Sequence, residues 1–204
     1  MIENLDGTVT GTPAEHAARM DEPFGMQDQA EFEWLAQFVR GVRSILEIGS
    51  CLGHSLCMLA PLAVQGARIR SIDIGRGNHS LDGFDTGNIL YQRIAGLRRY
   101  GFDAEVLLAS SHSKIAQMWA AEHGPYDFIF IDGDHEYAGI KRDWLDYSYL
   151  GNIVAFHDIG CKDHAVDRLW SEIKIDGFRT NEMICSRMGT GVVFMDTNRQ
   201  RAVA

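Results

Sequence analysis

The chain has no apolar run approaching the ~20 residues that a bilayer-spanning helix requires, and its opening residues, Met1-Ile2-Glu3-Asn4-Leu5-Asp6-Gly7, lack the basic and apolar regions of a signal peptide. A cytoplasmic protein with no membrane partner is expected. Basic residues are also scarce: 19 Lys and Arg stand against 28 Asp and Glu, a formal net charge of −9, and no basic stripe is interleaved with aromatics. Such a surface repels phosphate backbones, so nucleic acid is not an expected partner. The four cysteines, Cys51, Cys57, Cys161 and Cys185, include no CxxC pair. That spacing signals neither a structural zinc site nor a disulfide framework, and reduced, mostly buried thiols are expected.

What the 204 residues do contain is a regular alternation of short apolar runs and helical patterns. The length and the 46% hydrophobic content suit one domain. Residues 1–27, with Gly7, Gly11, Pro13, Pro23 and Gly25 among polar groups, read as a leader or lid, with a short helix near residues 14–20. Residues 28–204 read as the domain itself. Asp28 can cap a helix carrying Phe32, Leu35, Phe38 and Val39 at helical spacing. Strands are expected at 44–48, 69–74, 105–109, 128–131 and 153–156, separated by helices, the one at 136–150 presenting Tyr137, Ile140, Trp144 and Tyr147 on its apolar face. Residues 178–185 and 191–195 lack a helix between them and should pair antiparallel. The pattern predicts an α/β fold: a doubly wound, Rossmann-like, mostly parallel sheet with helices on both faces and a C-terminal antiparallel hairpin.

Two features at strand ends carry chemistry. Glu47-x-Gly49-x-x-x-Gly53 follows a strand and opens a helix, where glycines let a ligand approach the backbone. It lacks the GxGxxG spacing of a dinucleotide turn and the Lys of a phosphate loop. Asp73 ends the next strand, where an acid accepts ribose hydroxyls, so a ribose-bearing ligand without phosphate fits. The alternative is that the glycines serve strand-to-helix packing, with Glu47 and Asp73 as solvated strand ends. The second feature is the pair of apolar strands that run into Asp132-Gly133-Asp134-His135 and His157-Asp158. Open α/β sheets bind ligands at this carboxyl edge.

Through ILEIGSCLGHS, SIDI, YDFIFIDGDHEY and NIVAFHD, in that order, the sequence resembles the class I S-adenosylmethionine-dependent methyltransferases. The resemblance implies that Glu47 and Gly49, with Ser50 in the same turn, lie beside the methionine part. It implies Gly53 and Ser55 near its carboxylate, Asp73 on the ribose, and Ser111 and His112 near the adenine edge. DGDH and HD further resemble the metal-dependent small-molecule O-methyltransferases, which implies Asp132, His157 and Asp158 at ligand positions for a divalent metal, Mg²⁺ or Mn²⁺. His157 stands where that branch commonly has a carboxylate, and an imidazole leaves room for a first-row ion.

Methyl transfer to oxygen needs a base, a metal, or both. His135 lies three residues after Asp132 and is the expected general base; Asp134 is expected to cap the following helix. The activity these features imply is transfer of a methyl group to a hydroxyl of a small molecule, a sugar or phenol, one of a vicinal pair. A metal-independent N- or O-methyltransferase and a non-catalytic cofactor-binding module are the competing readings. His16, His79, His123 and His164 lie in polar stretches and read as surface groups, and Trp34, Trp144 and Trp170 as core. Asn78, His79 and Asp85 in the 75–88 loop could touch substrate. Acceptor identity and quaternary state stay open, a homo-oligomer included.

Overall fold

The computed structural model describes residues 2–3, 9–10, 28–76, 85–185 and 188–196. The lid expected at residues 1–27 lies outside this set, apart from a short antiparallel ribbon of β1 (Ile2–Glu3) against β2 (Val9–Thr10). Asn78 and His79 lie outside it too. Helix α1 (Gln29–Ala36) starts where expected, because the Asp28 carboxylate accepts from the Ala30 and Glu31 amides at 2.9 and 3.3 Å.

The chain then alternates as its hydrophobic pattern dictates. It runs through β3 (Ser44–Ile48), α2 (His54–Leu59), β4 (Arg68–Asp73), α3 (Thr86–Arg99), β5 (Asp103–Leu108) and α4 (Lys114–His123). It continues through β6 (Tyr126–Ile131), α5 (Tyr137–Tyr147), β7 (Gly151–His157), α6 (Val166–Ile175), β8 (Arg179–Met183) and β9 (Thr190–Phe194). Asp85 caps α3, its Oδ1 accepting from the Asn88 amide at 3.1 Å. Among the described residues no helix is long and apolar enough to cross a membrane.

Seven strands form one sheet in the order β5-β4-β3-β6-β7-β9-β8. The four pairings from β5 to β7 are parallel, and β9 pairs antiparallel with both β7 and β8, the latter as the missing helix between β8 and β9 required. Alternation along each strand feeds two cores. Ile45, Phe128 and Phe130 pack on one face with Phe32 and Leu35 of α1, Leu56 and Met58 of α2, and Leu90 and Ile94 of α3. Leu46, Ile48, Ile129 and Ile131 pack on the other with Ile140, Trp144 and Tyr147 of α5 and Leu169 and Trp170 of α6. Tyr137 departs from the expected apolar face of α5: it is half-buried, its hydroxyl donates to Glu172, and Arg168 lies over its ring at 3.7 Å.

Strand order reverses direction at β3, with β4 on one side and β6 on the other, which opens a crevice at the carboxyl ends. The register sets what lines it. Ile48 pairs with Ile72 and Ile131, and Ile131 with Phe156, so Gly49, Asp73, Asp132 and His157 fall in one row across four adjacent strands. The ladder continues into this row, with the Gly49 amide on the Ile72 carbonyl at 2.9 Å and the Asp132 amide on the Ile48 carbonyl at 2.8 Å.

Gly49 has φ +84°, and a Cβ there would lie 2.3 Å from both the Asp132 carbonyl oxygen and Gly133 Cα. Gly41 has a similar φ of +79° with nothing within 4 Å of the same atom. Replacing Gly41 with Ala should therefore cost only the left-handed backbone penalty, about 1 kcal/mol. Gly49→Ala adds a backbone collision and should cost ~4 kcal/mol or more, both measured by urea unfolding. Equal losses would show that the β6 exit yields to the extra atom.

Candidate active site

The glycine turn after β3 surrounds a buried carboxyl. Glu47 is on the same face of β3 as Ile45 and is fully buried, and its oxygens accept from Ser50 Oγ at 2.7 Å and from Ser55 Oγ. Ser50 Oγ also lies 2.7 Å from Ser71 Oγ of β4. Burial pushes the Glu47 carboxyl up to about 8, and the two serine hydrogen bonds oppose this only in part. Asp73 is 7% exposed, with Oδ2 accepting from the Cys51 amide and Oδ1 from the Gly75 amide, each at 2.7 Å. Burial raises its pKa against those backbone bonds. Glu47 and Asp73 are thus held inside the turn, and the alternative of solvated strand ends is ruled out. The packing part of that alternative is present: Gly49 abuts the β6 exit, and a Cβ on Gly53 (φ +76°) would lie 2.9 Å from side-chain atoms of Leu90 and Arg93.

Ser111 and His112 follow β5 and are anchored to α5. The Ser111 carbonyl accepts from the Tyr147 hydroxyl at 2.5 Å, and His112 Nε2 lies 3.3 Å from Asp143 Oδ1. Asp143 is fully buried, and burial pushes its carboxyl up to about 6.

The second cluster gathers at the ends of β6 and β7. His157 Nδ1 lies 3.3 Å from Asp132 Oδ1 and 3.2 Å from Asp158 Oδ1. His135 bridges the same pair from the loop before α5, with Nε2 3.5 Å from Asp132 Oδ1 and Nδ1 3.5 Å from Asp158 Oδ2. Burial alone would raise the Asp132 carboxyl, but the His157 charge and the hydrogen bonds of both imidazoles hold it below the usual carboxylate range. Burial likewise opposes charge on His157 and His135, yet the two carboxylates raise both imidazoles above their ordinary value. The sequence-predicted ligands Asp132, His157 and Asp158 therefore converge: one ligand atom from each lies within 4.8 Å of the other two.

A divalent cation fits these residues on two grounds. Asp158 Oδ1, 3.2 Å from His157 Nδ1, is a buried carboxylate oxygen without a hydrogen bond among the described residues, a deficit that a cation would fill. The 3.2–3.3 Å spacing is also close to the ~3.0 Å edge of an octahedron with bonds near 2.1 Å.

Three expectations need correction. Asp134 is not the cap of α5; Glu136 occupies that position, with no side-chain bond to the helix, while Asp134 Oδ1 accepts from the Glu136 amide at 2.9 Å and its carboxylate packs on Gly139. His164 is not a surface group, since its Nδ1 lies 2.7 Å from Asp158 Oδ2 and its ring stacks on His135 with centroids 4.4 Å apart. The polar stretch around His164 concealed it. The one available signal was its place on the loop that leaves the carboxyl end of β7. Cys185 is exposed, contrary to the buried thiols expected, and its Sγ lies 3.1 Å from Asp28 Oδ1.

Comparison with known proteins bears on the family and the fold. A family model described as a methyltransferase domain matches residues 46–159. Caffeoyl-CoA O-methyltransferase 1 of Arabidopsis thaliana is 23% identical over 130 residues, 63% of this chain and 48% of that protein, so the chain spans about half the length of the curated relative it matches. A candidate caffeoyl-CoA O-methyltransferase from Staphylococcus aureus superposes with a TM-score of 0.64 at 18% identity, covering 91% of this chain and 93% of the other. The O-methyltransferase TomG of Streptomyces achromogenes, solved with S-adenosylmethionine and involved in tomaymycin synthesis, gives 0.61 at 16% identity, with 93% and 92% covered. These likenesses show the shared fold.

The buried Glu47 sets a pH dependence. Its carboxyl rises from 4.5 to about 8 on folding, so the folded chain binds a proton that the unfolded chain has released. Its stabilising contribution is complete below pH 4.5 and declines as pH climbs toward 8, by about 1.4 kcal/mol per pH unit at most. Glu47→Gln should flatten that decline, measured as the wild-type minus variant difference in denaturant stability from pH 5 to 8. A constant difference would show that Glu47 is ionised in the fold.

Proposed function

The chain belongs to the methyltransferase domain family, and from that premise we propose that it transfers a methyl group from S-adenosylmethionine to a hydroxyl of a small molecule, with a divalent metal and His135 as base. The observation that carries this reading is the contact between its two sites. Gly49 of the cofactor turn packs against the backbone of Asp132 and Gly133, so a methyl donor in the turn lies next to an acceptor held by the acid–imidazole cluster. Such proximity favours in-line displacement, where positioning accounts for much of the rate.

Asp73 accepts the ribose hydroxyls; each of its oxygens holds one backbone amide and retains a lone pair for a further donor. Glu47, Ser50, Gly53 and Ser55 shape the end that receives the amino-acid part. Ser111 and His112, tied to α5, border the adenine. Asp132, His157 and Asp158 would hold the metal, Mg²⁺ or Mn²⁺, which when bound would lower the pKa of the acceptor hydroxyl. An acceptor with two adjacent hydroxyls, such as a phenol or sugar diol, suits such a site.

His135 takes the hydroxyl proton at Nε2, its Nδ1–H directed toward Asp158 Oδ2 3.5 Å away. The acceptor oxygen then bonds to the methyl carbon as the carbon–sulfur bond breaks, and the electron pair returns to sulfur to give S-adenosylhomocysteine.

Formation of S-adenosylhomocysteine over a panel of hydroxylated acceptors tests this directly. Activity should vanish with a chelator and return with Mg²⁺ or Mn²⁺. His135→Ala should lower kcat by about 10²–10⁴ while leaving cofactor affinity near wild type. Turnover indifferent to chelation removes the metal, and cofactor binding without turnover on any acceptor identifies a binding module instead.

A further inference from the structure

His164 belongs to neither strand-end motif, yet the fold delivers it to the cluster. The segment leaving β7 turns at Asp158 with φ +63°, a left-handed conformation that Asp adopts more readily than most residues. It is pinned to the loop before α5 by the Ala165 amide, which donates to the His135 carbonyl at 3.0 Å. His164 is thereby set over His135, and its Nδ1 meets Asp158 Oδ2 at 2.7 Å. An ionised carboxylate only accepts, so this nitrogen carries the proton.

The two oxygens of Asp158 are consequently unequal. Oδ2 holds a short hydrogen bond from His164. Oδ1 is turned toward His157 and has no hydrogen bond among the described residues, although the side chain is only 2% exposed. We propose that His164 is a positioning residue of the metal site: by occupying Oδ2 it restricts Asp158 to ligation through Oδ1 alone. The inference rests on the metal-assisted reading above.

Single-oxygen ligation has a consequence for which ion is held. Ca²⁺ takes six to eight oxygens at about 2.3–2.6 Å and readily accepts both oxygens of one carboxylate, whereas smaller six-coordinate ions take one oxygen from each at about 2.0–2.1 Å. An imidazole ligand from His157 further favours a first-row ion. With Oδ2 withheld, the site is tuned to Mn²⁺ and against Ca²⁺. Without His164, Oδ2 would keep only the longer contact to His135 Nδ1 at 3.5 Å, so Asp158 could offer both oxygens and discrimination would shrink.

The full chain, stripped of metal, is titrated calorimetrically with Mn²⁺ and separately with Ca²⁺, with free Mn²⁺ followed by electron paramagnetic resonance. Wild type should prefer Mn²⁺ by at least ~10-fold. His164→Ala should weaken Mn²⁺ binding by about 10–100-fold and narrow the preference over Ca²⁺. His164→Asn, whose side-chain amide can donate in place of Nδ1, should recover most of both. His164→Phe keeps a ring against His135 without a donor and should match His164→Ala, which covers the case in which the alanine variant does not fold. Mn²⁺ affinity within twofold of wild type in the donor-free variants, an unchanged Mn²⁺ to Ca²⁺ ratio, or no recovery in His164→Asn overturns the role of His164 alone. A wild type that binds neither ion overturns the metal-assisted reading itself.

Discussion

Parallel register is the constraint on which the site depends. Ile48, Ile72, Ile131 and Phe156 stand level across four strands, and each is buried on an apolar face. Slipping any strand by one residue would turn its apolar side chains from one core to the other and drag the polar residue behind them out of line. Because strands lie about 4.8 Å apart, the level row Gly49, Asp73, Asp132 and His157 sets the Asp73 carboxylate two strands from that of Asp132, with the backbone gap at Gly49 between them. Hydrophobic packing thus fixes the spacing of the polar groups without any contact among those groups being needed.

That arrangement stands against the electrostatics of the site. Two carboxylates and three imidazoles meet where Asp158 and His157 are almost sealed from water, and removing such charges from water costs several kcal/mol each unless they are paired. Pairing is what the cluster provides: the imidazoles lower Asp132, and the carboxylates raise His135 and His157. Glu47 resolves the same conflict differently, taking up a proton and two serine hydroxyls. One crevice therefore holds a neutral carboxyl beneath the glycine turn and a charged network at the ends of β6 and β7.

Much of this is legible in the sequence. Apolar runs such as Phe128-Ile129-Phe130-Ile131 announce buried strands, and whatever polar residue ends such a run must lie at the sheet edge; Asp73, Asp132 and His157 were found in that way. The same logic gave the antiparallel end of the sheet. Loops carry no period, and there it failed. Asp134 looked like a cap by its distance from the helix, but the chain makes one more turn and Glu136 takes that place. His164 was missed because its partner Asp158 reaches it through a left-handed turn and a backbone bond from Ala165 to His135, neither of which leaves a spacing in the sequence. The pairing of His112 with Asp143, thirty-one residues on, is equally tertiary.

The imidazole at position 157 also bears on what the site could hold next to a metal. As a ligand His157 would be neutral, its proton displaced by the ion, so Asp132 and Asp158 would supply two negative charges, which one divalent ion would cancel. A carboxylate in place of His157 would leave a net negative charge buried against the acceptor. The species that attacks the methyl group is an oxyanion or close to one, and a like charge within a few ångströms in a poorly solvated site would raise its pKa when catalysis needs it lowered. Under the proposed function, a two-carboxylate, one-imidazole set therefore holds a metal while leaving its field available to the acceptor oxygen. His164 complements this from the far side of Asp158, since a hydrogen bond to the oxygen turned away from the metal draws charge off that carboxylate without adding a ligand.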